Sequence, residues 1–281
     1  MKILLTGSSG LVGSQIDTDL ATQDHTVVEY DLTQGRDILD PGALLNASRG
    51  CDAIIHSAAL LGLDEQSDTD IMAVNLQGTW NVLATAQKAG IQRVVFLSSV
   101  DALGLFKGEG SPDYLPLNEA HPCRPGTPYG ISKYLAENMC RLFCAATDVS
   151  VVCLRPPGVW DESIYAWVQS ERAQRASFEW DPFWEYGAFI DVRDLSRACI
   201  RALTCGIEDF ACLLVTAADI TTSGRTSRQL AEFVMPHVEW RGGAQYEREP
   251  FRSLVETENA QRILDWSPQH SWQSYLQENA G

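Results

Sequence analysis

Short apolar stretches alternate with longer segments of helical periodicity along the first half of the chain. The apolar stretches, which we predict to be strands, are KILLT at 2–6, TVVEYDL at 26–32, DAIIHSAA at 52–59, RVVFLSS at 93–99 and VSVVCLRPP at 149–157. Apolar residues spaced three and four apart predict helices after Gly7, over 70–89 and over 127–146. Continuously apolar strands that alternate with helices are typical of a parallel sheet covered on both faces. The pattern therefore predicts an α/β fold with a doubly wound parallel sheet.

The regular alternation ends after Pro157, where an aromatic segment begins. Nine aromatic residues fall between positions 160 and 189, far above the 9% of the whole chain. Beyond this segment, helical periodicity returns over 191–203, 224–235 and 256–264, and ACLLVTA at 211–217 predicts another strand. No linker rich in Pro, Gly or Ser separates the parts. We therefore expect a core of residues 1–158, continued by 188–222, and a smaller C-terminal lobe of residues 159–187 and 223–281.

Composition and charge restrict the classes of partner. The chain has a globular composition, with 45% hydrophobic and 21% charged residues, and its apolar runs are too short to span a bilayer. Its formal net charge of −16 repels phosphate backbones and anionic lipids, which argues against nucleic acid and membranes as partners. We therefore expect a soluble, cytoplasmic protein.

The cysteines and histidines are scattered along the chain. Eight cysteines occur without a C-x-x-C pair, and the five histidines stand apart from one another. We predict no metal site, and we expect most of the cysteines to be buried free thiols.

The first predicted strand leads directly into T-G-S-S-G-L-V-G, residues 6–13. Its three glycines permit a tight turn, close approach of a pyrophosphate to the backbone, and packing of the next helix on the strand. The second strand ends at Asp31, whose carboxylate is placed to accept hydrogen bonds from an adenosine ribose. Because a carboxylate repels a 2′-phosphate, the pattern predicts NAD, while nearby Arg36 keeps NADP open as the alternative. Asp37 and Ile38 lie where a loop can contact the adenine.

The stretch YGISK, residues 129–133, places a tyrosine four positions before a lysine. On a helix over 127–146, the two side chains lie one turn apart on the same face. An ammonium and a cationic nicotinamide both stabilise a phenolate, so Tyr129 can take a proton from a substrate alcohol as hydride leaves for the cofactor. Ser98 and Ser99 end the fourth strand, at the sheet edge where ligands of such folds bind, and a hydroxyl there can hold the substrate oxygen.

In this order along the chain, the motifs resemble those of the extended short-chain dehydrogenase/reductase family, in its epimerase/dehydratase branch. Besides the glycine turn, Asp31 and YGISK, they are RDILD at 36–40, HSAA at 56–59, Asn75, LSSVDALG at 97–104, LRPPGV at 154–159 and FIDVRDLSRA at 189–198. The resemblance implies a Rossmann fold with a small substrate-binding lobe, NAD as cofactor, and Ser99, Tyr129 and Lys133 as the catalytic set. The cofactor-binding set that we expect is Gly7, Gly10, Leu11, Val12, Gly13, Asp31, Asp37, Ile38, Ala58, Asn75, Tyr129, Lys133 and Pro156. For Asn75, a purely structural role as a buried helix amide is equally open.

The resemblance leaves the substrate open. Dehydratases of the family carry Thr-Asp-Glu where this chain has Ser99, Val100 and Asp101, which argues against dehydration. Sugar-nucleotide epimerases carry Asn followed by Tyr-Gly-Pro where this chain has residues 157–160, and uronate dehydrogenases carry Asn-His where it has Val-Asp. We expect an NAD-dependent oxidoreductase or epimerase that acts on a secondary alcohol or ketone of a small sugar-like molecule. A sugar-nucleotide epimerase or a uronate-type dehydrogenase is the alternative within the family, and a non-catalytic NAD(P) sensor is the alternative outside it.

Substrate contacts are expected from a strand end and from the aromatic segment. Asp101 can act on the substrate as an acid or a binding group, or it can simply cap the strand end. Trp160 and Trp184 are the rings that we expect to face the pocket, because aromatic faces pack on the C–H faces of sugars. Arg172 and Arg175 could hold an acidic substrate. The aromatic residues can instead form the core of the small lobe.

The helices at 70–89 and 127–146 carry apolar residues on more than one side. One face can cover the sheet while the other pairs with a second copy, so we predict a homodimer with a four-helix interface, as the family resemblance also implies. The residues behind this prediction are Trp80, Leu135, Met139, Leu142 and Phe143.

Overall fold

Six parallel strands form the central sheet of the protein, whose computed structural model describes residues 1–62, 66–106, 109–175, 186–222 and 224–279. These strands are β1 (Lys2–Thr6), β2 (Thr26–Tyr30), β3 (Ala53–His56), β4 (Arg93–Leu97), β6 (Ser150–Arg155) and β9 (Phe210–Leu214). Two short pairs accompany the sheet, β5 (Tyr114–Leu115) with β10 (Glu239–Trp240) and β7 (Val159–Trp160) with β8 (Ile190–Asp191). The order in the sheet is β2-β1-β3-β4-β6-β9. The order changes direction between β1 and β3, and in such folds a ligand crevice opens at that point.

Helices cover both faces of the sheet. Within the described residues, the α-helices are α1 (Leu11–Ala21), α2 (Pro41–Ala47), α3 (Asp68–Met72), α4 (Thr79–Ala89), α5 (Pro128–Ala146), α6 (Glu162–Gln174), α7 (Val192–Ala202), α8 (Ser227–Val234), α9 (Gln245–Arg248), α10 (Glu258–Leu264) and α11 (Trp272–Glu278). Successive strand residues point to opposite faces. In β1, Ile3 and Leu5 pack with α1 and α7, whereas Leu4 packs with α2, α4 and α5. The predicted doubly wound parallel sheet is therefore confirmed.

The predicted helix over 70–89 is divided in the structure. A single π-helical turn, Ala73–Gly78, separates α3 from α4. Gly78 packs against the side chain of Ile38, and a Cβ at this glycine would lie 2.4 Å from the Ile38 Cδ1 atom. The turn also displaces Asn75, which is buried, toward the loop after β3. Such turns are frequently found at functional sites.

A second apolar core lies beyond the sheet. It joins residues that follow β4 to residues of the C-terminal region, among them Leu103, Leu117, Leu230 and Leu254. An aromatic core beside it packs Trp160 and Tyr165 with Phe189 and Trp272. No described helix combines the length and hydropathy that a membrane crossing requires. The N-terminus of α11, which carries Trp272, is fixed by Asp219, whose two carboxylate oxygens accept the N–H groups of Trp272 and Gln273.

Candidate active site

The glycine turn after β1 is shaped by backbone contacts that exclude side chains at two of its three glycines. Gly7 has a φ of +73°, and a Cβ there would lie 2.6 Å from the backbone nitrogen of Ala58. A Cβ on Gly13 would lie 2.0 Å from the carbonyl oxygen of Gly7. At Gly10 the nearest such contact is 3.5 Å, so this glycine leaves open space beside the N-terminus of α1. That space suits a pyrophosphate, which the helix N-terminus attracts.

Asp31 directly follows β2 and faces the glycine turn. Its carboxylate accepts hydrogen bonds from the Ser9 N–H at 3.1 Å, the Thr33 N–H at 2.9 Å and the Thr33 hydroxyl at 2.7 Å. Partial burial works to raise the pKa of Asp31, but these hydrogen bonds lower the pKa below its ordinary value. Asp31 is therefore ionised at neutral pH and offers a negative acceptor at the edge of the crevice.

Two adjoining cavities form one cleft along the carboxyl edge of the sheet. The smaller, about 300 Å³, surrounds Asp31, and the larger, about 380 Å³, extends toward α5. Both include Gly7 and Gly10. The predicted cofactor residues that line the cleft are Gly7, Gly10, Leu11, Val12, Gly13, Asp31, Asp37, Ile38, Ala58, Tyr129, Lys133 and Pro156. The cleft has an extended, two-ended shape that suits a dinucleotide, with the Asp31 carboxylate at one end and α5 at the other.

Asn75 is not among the residues that line the cleft. Its side chain accepts the Leu60 N–H at 2.8 Å and donates to the Leu60 carbonyl and the Ser132 hydroxyl, both at 2.9 Å. Thr79 donates to the Asn75 carbonyl and contacts the buried ring of His56 at 3.0 Å. Asn75 thus joins the loop after β3 to the helix that carries Tyr129, which is a supporting position and not a cofactor contact.

Tyr129 and Lys133 lie on the first turns of α5, which begins at Pro128 with Thr127 as its cap. The Lys133 ammonium donates to the Leu97 carbonyl at 2.8 Å and lies 5.7 Å from the centre of the Tyr129 ring. Lys133 is only 3% exposed, and this burial lowers the pKa of Lys133 to about 8, while the charge of Glu137 works to raise it. The ammonium is therefore held at the floor of the cleft, beside the phenol.

The two serines after β4 have different partners. Ser98 donates its hydroxyl to the Glu137 carboxylate at 2.5 Å. Ser99 accepts the Asp101 N–H at 3.1 Å, so its hydroxyl proton is left to donate to another group. Ser99, Asp101, Tyr129 and Lys133 all line the larger cavity. The structure therefore brings together the three predicted catalytic residues and Asp101.

The expected contacts from the aromatic segment are placed differently. Trp160 is 4% exposed, and its ring stacks on Phe189 at 4.6 Å within the aromatic core, so its position corrects the expectation that it faces the pocket. The backbone alternates sides at β7, and Val159 lines the cavity instead. The Arg172 guanidinium lies 4.9 Å from the centre of the Trp272 ring. Arg175 pairs with Glu171 on the same helix.

Neither Arg172 nor Arg175 is among the described residues that line the cleft. Trp184 lies outside the described residues. Lining residues that the sequence reading missed are Ser57, Ala59, Leu61, Pro157, Gly158, Val159 and Leu195. Most of them follow β3 and β6 directly, so their place at strand ends was the available signal.

Fold and cleft together define a class: a Rossmann-type protein with a dinucleotide crevice whose far end carries a tyrosine, a lysine and a serine. The sequence profile of the NAD dependent epimerase/dehydratase family matches residues 3–208, and the chain belongs to this family. Its cofactor is NAD, and the predicted class of NAD-dependent, epimerase-like enzyme is confirmed.

Individual relatives differ in activity. The UDP-glucose 4-epimerase of Mus musculus is 34% identical over 55% of this chain and 52% of its own length. The uronate dehydrogenase of Pseudomonas syringae is 27% identical over 55% of this chain and 58% of its own length. The chain thus spans little more than half of either relative. A crystal structure of a short-chain dehydrogenase/reductase superfamily protein from Agrobacterium tumefaciens with bound NAD has the same fold, with a TM-score of 0.74 and 23% identity over 100% of this chain and 96% of that chain.

Proposed function

We propose that the protein transfers hydride between NAD and a secondary alcohol or ketone of a small sugar-like molecule. The observation that carries the proposal is that Tyr129, Lys133 and Ser99 line one cavity that continues to the glycine turn and Asp31. NAD, when bound, supplies the acceptor for the hydride. The remaining groups of the reaction are side chains of this chain.

Each proposed catalytic residue has a distinct task. Tyr129 takes the proton of the substrate hydroxyl and returns it to a ketone in the reverse direction. The buried Lys133 ammonium stabilises the phenolate and donates to the nicotinamide ribose. Ser99 donates to the substrate oxygen and so orients the carbon that reacts. Lys133 has the support of its hydrogen bond to the Leu97 carbonyl, which holds the ammonium beside the ring.

The charges of the cleft support a neutral substrate. Among the described residues that line the larger cavity, Lys133 is the one with a cationic side chain, and it lies buried beside Tyr129. A nucleotide diphosphate or a uronate needs cationic or N–H partners of its own. Asp101 adds a carboxylate to the same wall. A neutral sugar or polyol fits these charges better than the substrates named for the two relatives.

Two other functions remain defined alternatives. Sugar-nucleotide epimerisation and uronate oxidation correspond to the names of the relatives from Mus musculus and Pseudomonas syringae. A sensor that binds NAD(P) without chemistry would not need a phenol and an ammonium side by side, so the presence of both favours an enzyme.

The substrate class is tested with purified protein, NAD and three matched panels of neutral sugars and polyols, uronates, and UDP-sugars. Formation of NADH reports net oxidation, and separation of the sugars reports epimerisation. We expect turnover in the neutral panel. Turnover confined to UDP-sugars or to uronates would replace the neutral substrate by the corresponding alternative.

We further propose how the chain is organised. Residues 1–158 with 188–222 bind NAD, and residues 159–187 with 223–281 form the substrate-binding lobe. The exposed apolar side chains of α4 and α5 support a homodimer, and eight free cysteines support a reducing, cytoplasmic location.

A further inference from the structure

A buried ion pair lies directly behind the proposed catalytic residues. Glu137 accepts hydrogen bonds from Arg155, through Nε at 2.8 Å and Nη2 at 2.7 Å, and from the Ser98 hydroxyl at 2.5 Å. Glu137 is 4% exposed and Arg155 is 6% exposed. Charged residues are rarely buried so completely unless they are paired, and here the geometry of the pair is bidentate.

The pair joins three elements that carry site residues. Glu137 lies one turn after Lys133 on α5. Ser98 immediately precedes Ser99, and Arg155 ends β6 immediately before Pro156, which lines the cleft. The Pro156 carbonyl in turn accepts the Val100 N–H at 3.1 Å, next to Ser99. A movement of Glu137 would therefore displace Lys133 on one side and Ser99 on the other.

Stability alone does not account for this arrangement. Removing two charges from water costs several kcal/mol each, and apolar residues of similar volume often stabilise a fold as well or better. The surrounding core is apolar, with Ala136, Cys140 and Cys153 nearby. A packing role at this place would be met by hydrophobic side chains, so the charges call for a different explanation.

We propose that Glu137 and Arg155 form a positioning pair, which holds the Lys133 ammonium and the Ser99 hydroxyl in register and places a negative charge beside the ammonium. This inference rests on the proposed function, because it takes Lys133 and Ser99 as catalytic residues. Glu137 and Arg155 act through these residues and touch neither substrate nor cofactor in the proposal.

The electrostatic part has a definite sign. Burial lowers the pKa of Lys133 to about 8, and Glu137 is the main charge that opposes this effect. The other titratable groups that face Lys133 are Tyr129 and Cys140 on α5, Cys153 on β6 and His56 on β3. Burial and the charge of Lys133 lower the pKa of His56 to about 3, and burial raises the pKa of Cys153, so both are neutral at physiological pH.

Two substitutions should therefore move the titration of Lys133 in opposite directions. Glu137→Gln removes the negative charge and makes the ammonium easier to deprotonate. Arg155→Met removes the positive charge that offsets Glu137 and makes the ammonium harder to deprotonate. Arg155→Lys keeps the charge and is the matched control. A merely structural role would move the titration in the same direction in both variants, or not at all.

The chain has four lysines, at positions 2, 88, 107 and 133, so the titration can be followed directly. Protein labelled with ¹³C-lysine gives four ε-CH₂ signals by NMR, and the signal lost in Lys133→Met identifies Lys133. We expect its midpoint at lower pH in Glu137→Gln, at higher pH in Arg155→Met, and unchanged in Arg155→Lys. Shifts of the same sign, or no shifts, would overturn the proposal. Because no substrate is present, this result stands even if the proposed function fails.

Ser98→Ala tests the positioning part and keeps the ion pair, so it serves if a charge variant does not fold. It removes one hydrogen bond to a charged group, and we expect kcat to fall about fivefold with the NAD dissociation constant unchanged. Unchanged kcat in Ser98→Ala would contradict the idea that Glu137 aligns the strand carrying Ser99. Loss of turnover in Tyr129→Phe is the separate check on the proposed function.

Discussion

At the scale of single residues, Lys133 shows how the site and the fold make opposite demands. An ammonium that is 3% exposed loses most of its hydration, and its pKa falls from the ordinary value of 10.5 to about 8. Because the unfolded chain keeps the ordinary value, the folded protein releases this proton first as the pH rises. Burial of the charge therefore destabilises the protein below pH 8, where the site needs the charge.

This linkage predicts how stability depends on pH. Between pH 8 and 10.5 the unfolded state binds more protons at this site than the folded state, so stability rises with pH in that interval. Lys133→Met lacks the effect. We expect the free energy of unfolding of the wild type, relative to Lys133→Met without NAD, to increase from pH 8 to 10.5 and to be constant below it. A difference that stays flat, measured by urea unfolding, would mean that Lys133 is not buried as described.

Asp31 gives a prediction on cofactor choice. Its pKa is lowered by hydrogen bonds from Thr33 and Ser9, so a negative acceptor faces the ribose. Loss of a hydrogen bond to a charged group costs about 1.5–3 kcal/mol, so Asp31→Ala should weaken NAD at least tenfold while NADP is affected little. Asp148→Ala, an exposed change of equal charge, is the control. Calorimetric titration that finds NAD and NADP weakened equally would exclude this role of Asp31.

At the scale of elements, the turn between β1 and α1 separates folding from binding. Gly13 is in contact with the Gly7 carbonyl, whereas Gly10 has room for a methyl group. We expect Gly13→Ala to lower the melting temperature strongly, and Gly10→Ala to keep the melting temperature but to lose most NAD affinity. If Gly10→Ala binds NAD normally, the pyrophosphate does not lie where the turn is open.

The elements that the sequence predicted best are the buried strands. Their apolar runs are continuous because both faces are covered, so the six strands of the sheet were recognisable without the structure. The π-turn at Asn75 and the helix α6 were not. The turn depends on packing of Gly78 against Ile38, and the periodicity of α6 was hidden by an aromatic segment whose rings form a core with Trp272.

The site was predictable to the same extent. The spacing of Tyr129 and Lys133 fixes their common face, and the ends of parallel strands fix the position of Ser99. The partnership of Glu137 with Arg155 and Ser98 depends on how α5 lies across β4 and β6, which no local pattern shows. Trp160 was misplaced because an aromatic residue after a strand fits a pocket wall and a core equally well.

At the scale of the whole molecule, the outer face of α4 and α5 supports self-association. Trp80 is 49%, Leu135 44% and Leu142 69% exposed, while Phe143, with the Trp80 ring 5.7 Å away, belongs to the core. We expect a dimer by light scattering and a monomer for Leu142→Glu. Phe233→Glu, at a side chain 54% exposed on α8, is the matched control and should remain dimeric. A wild-type monomer at micromolar concentration would contradict the dimer.

The central claim is that Tyr129 moves the substrate proton while NAD is held by the rest of the cleft. The most direct measurement compares wild type and Tyr129→Phe, with the substrate that the panels identify, by turnover and by calorimetric NAD affinity. The variant loses one hydroxyl and keeps the Lys133 ammonium and the glycine turn. The account predicts a fall in kcat of at least about a hundredfold, as for loss of a general base, with NAD affinity nearly unchanged. Turnover within a few-fold of the wild type would contradict it.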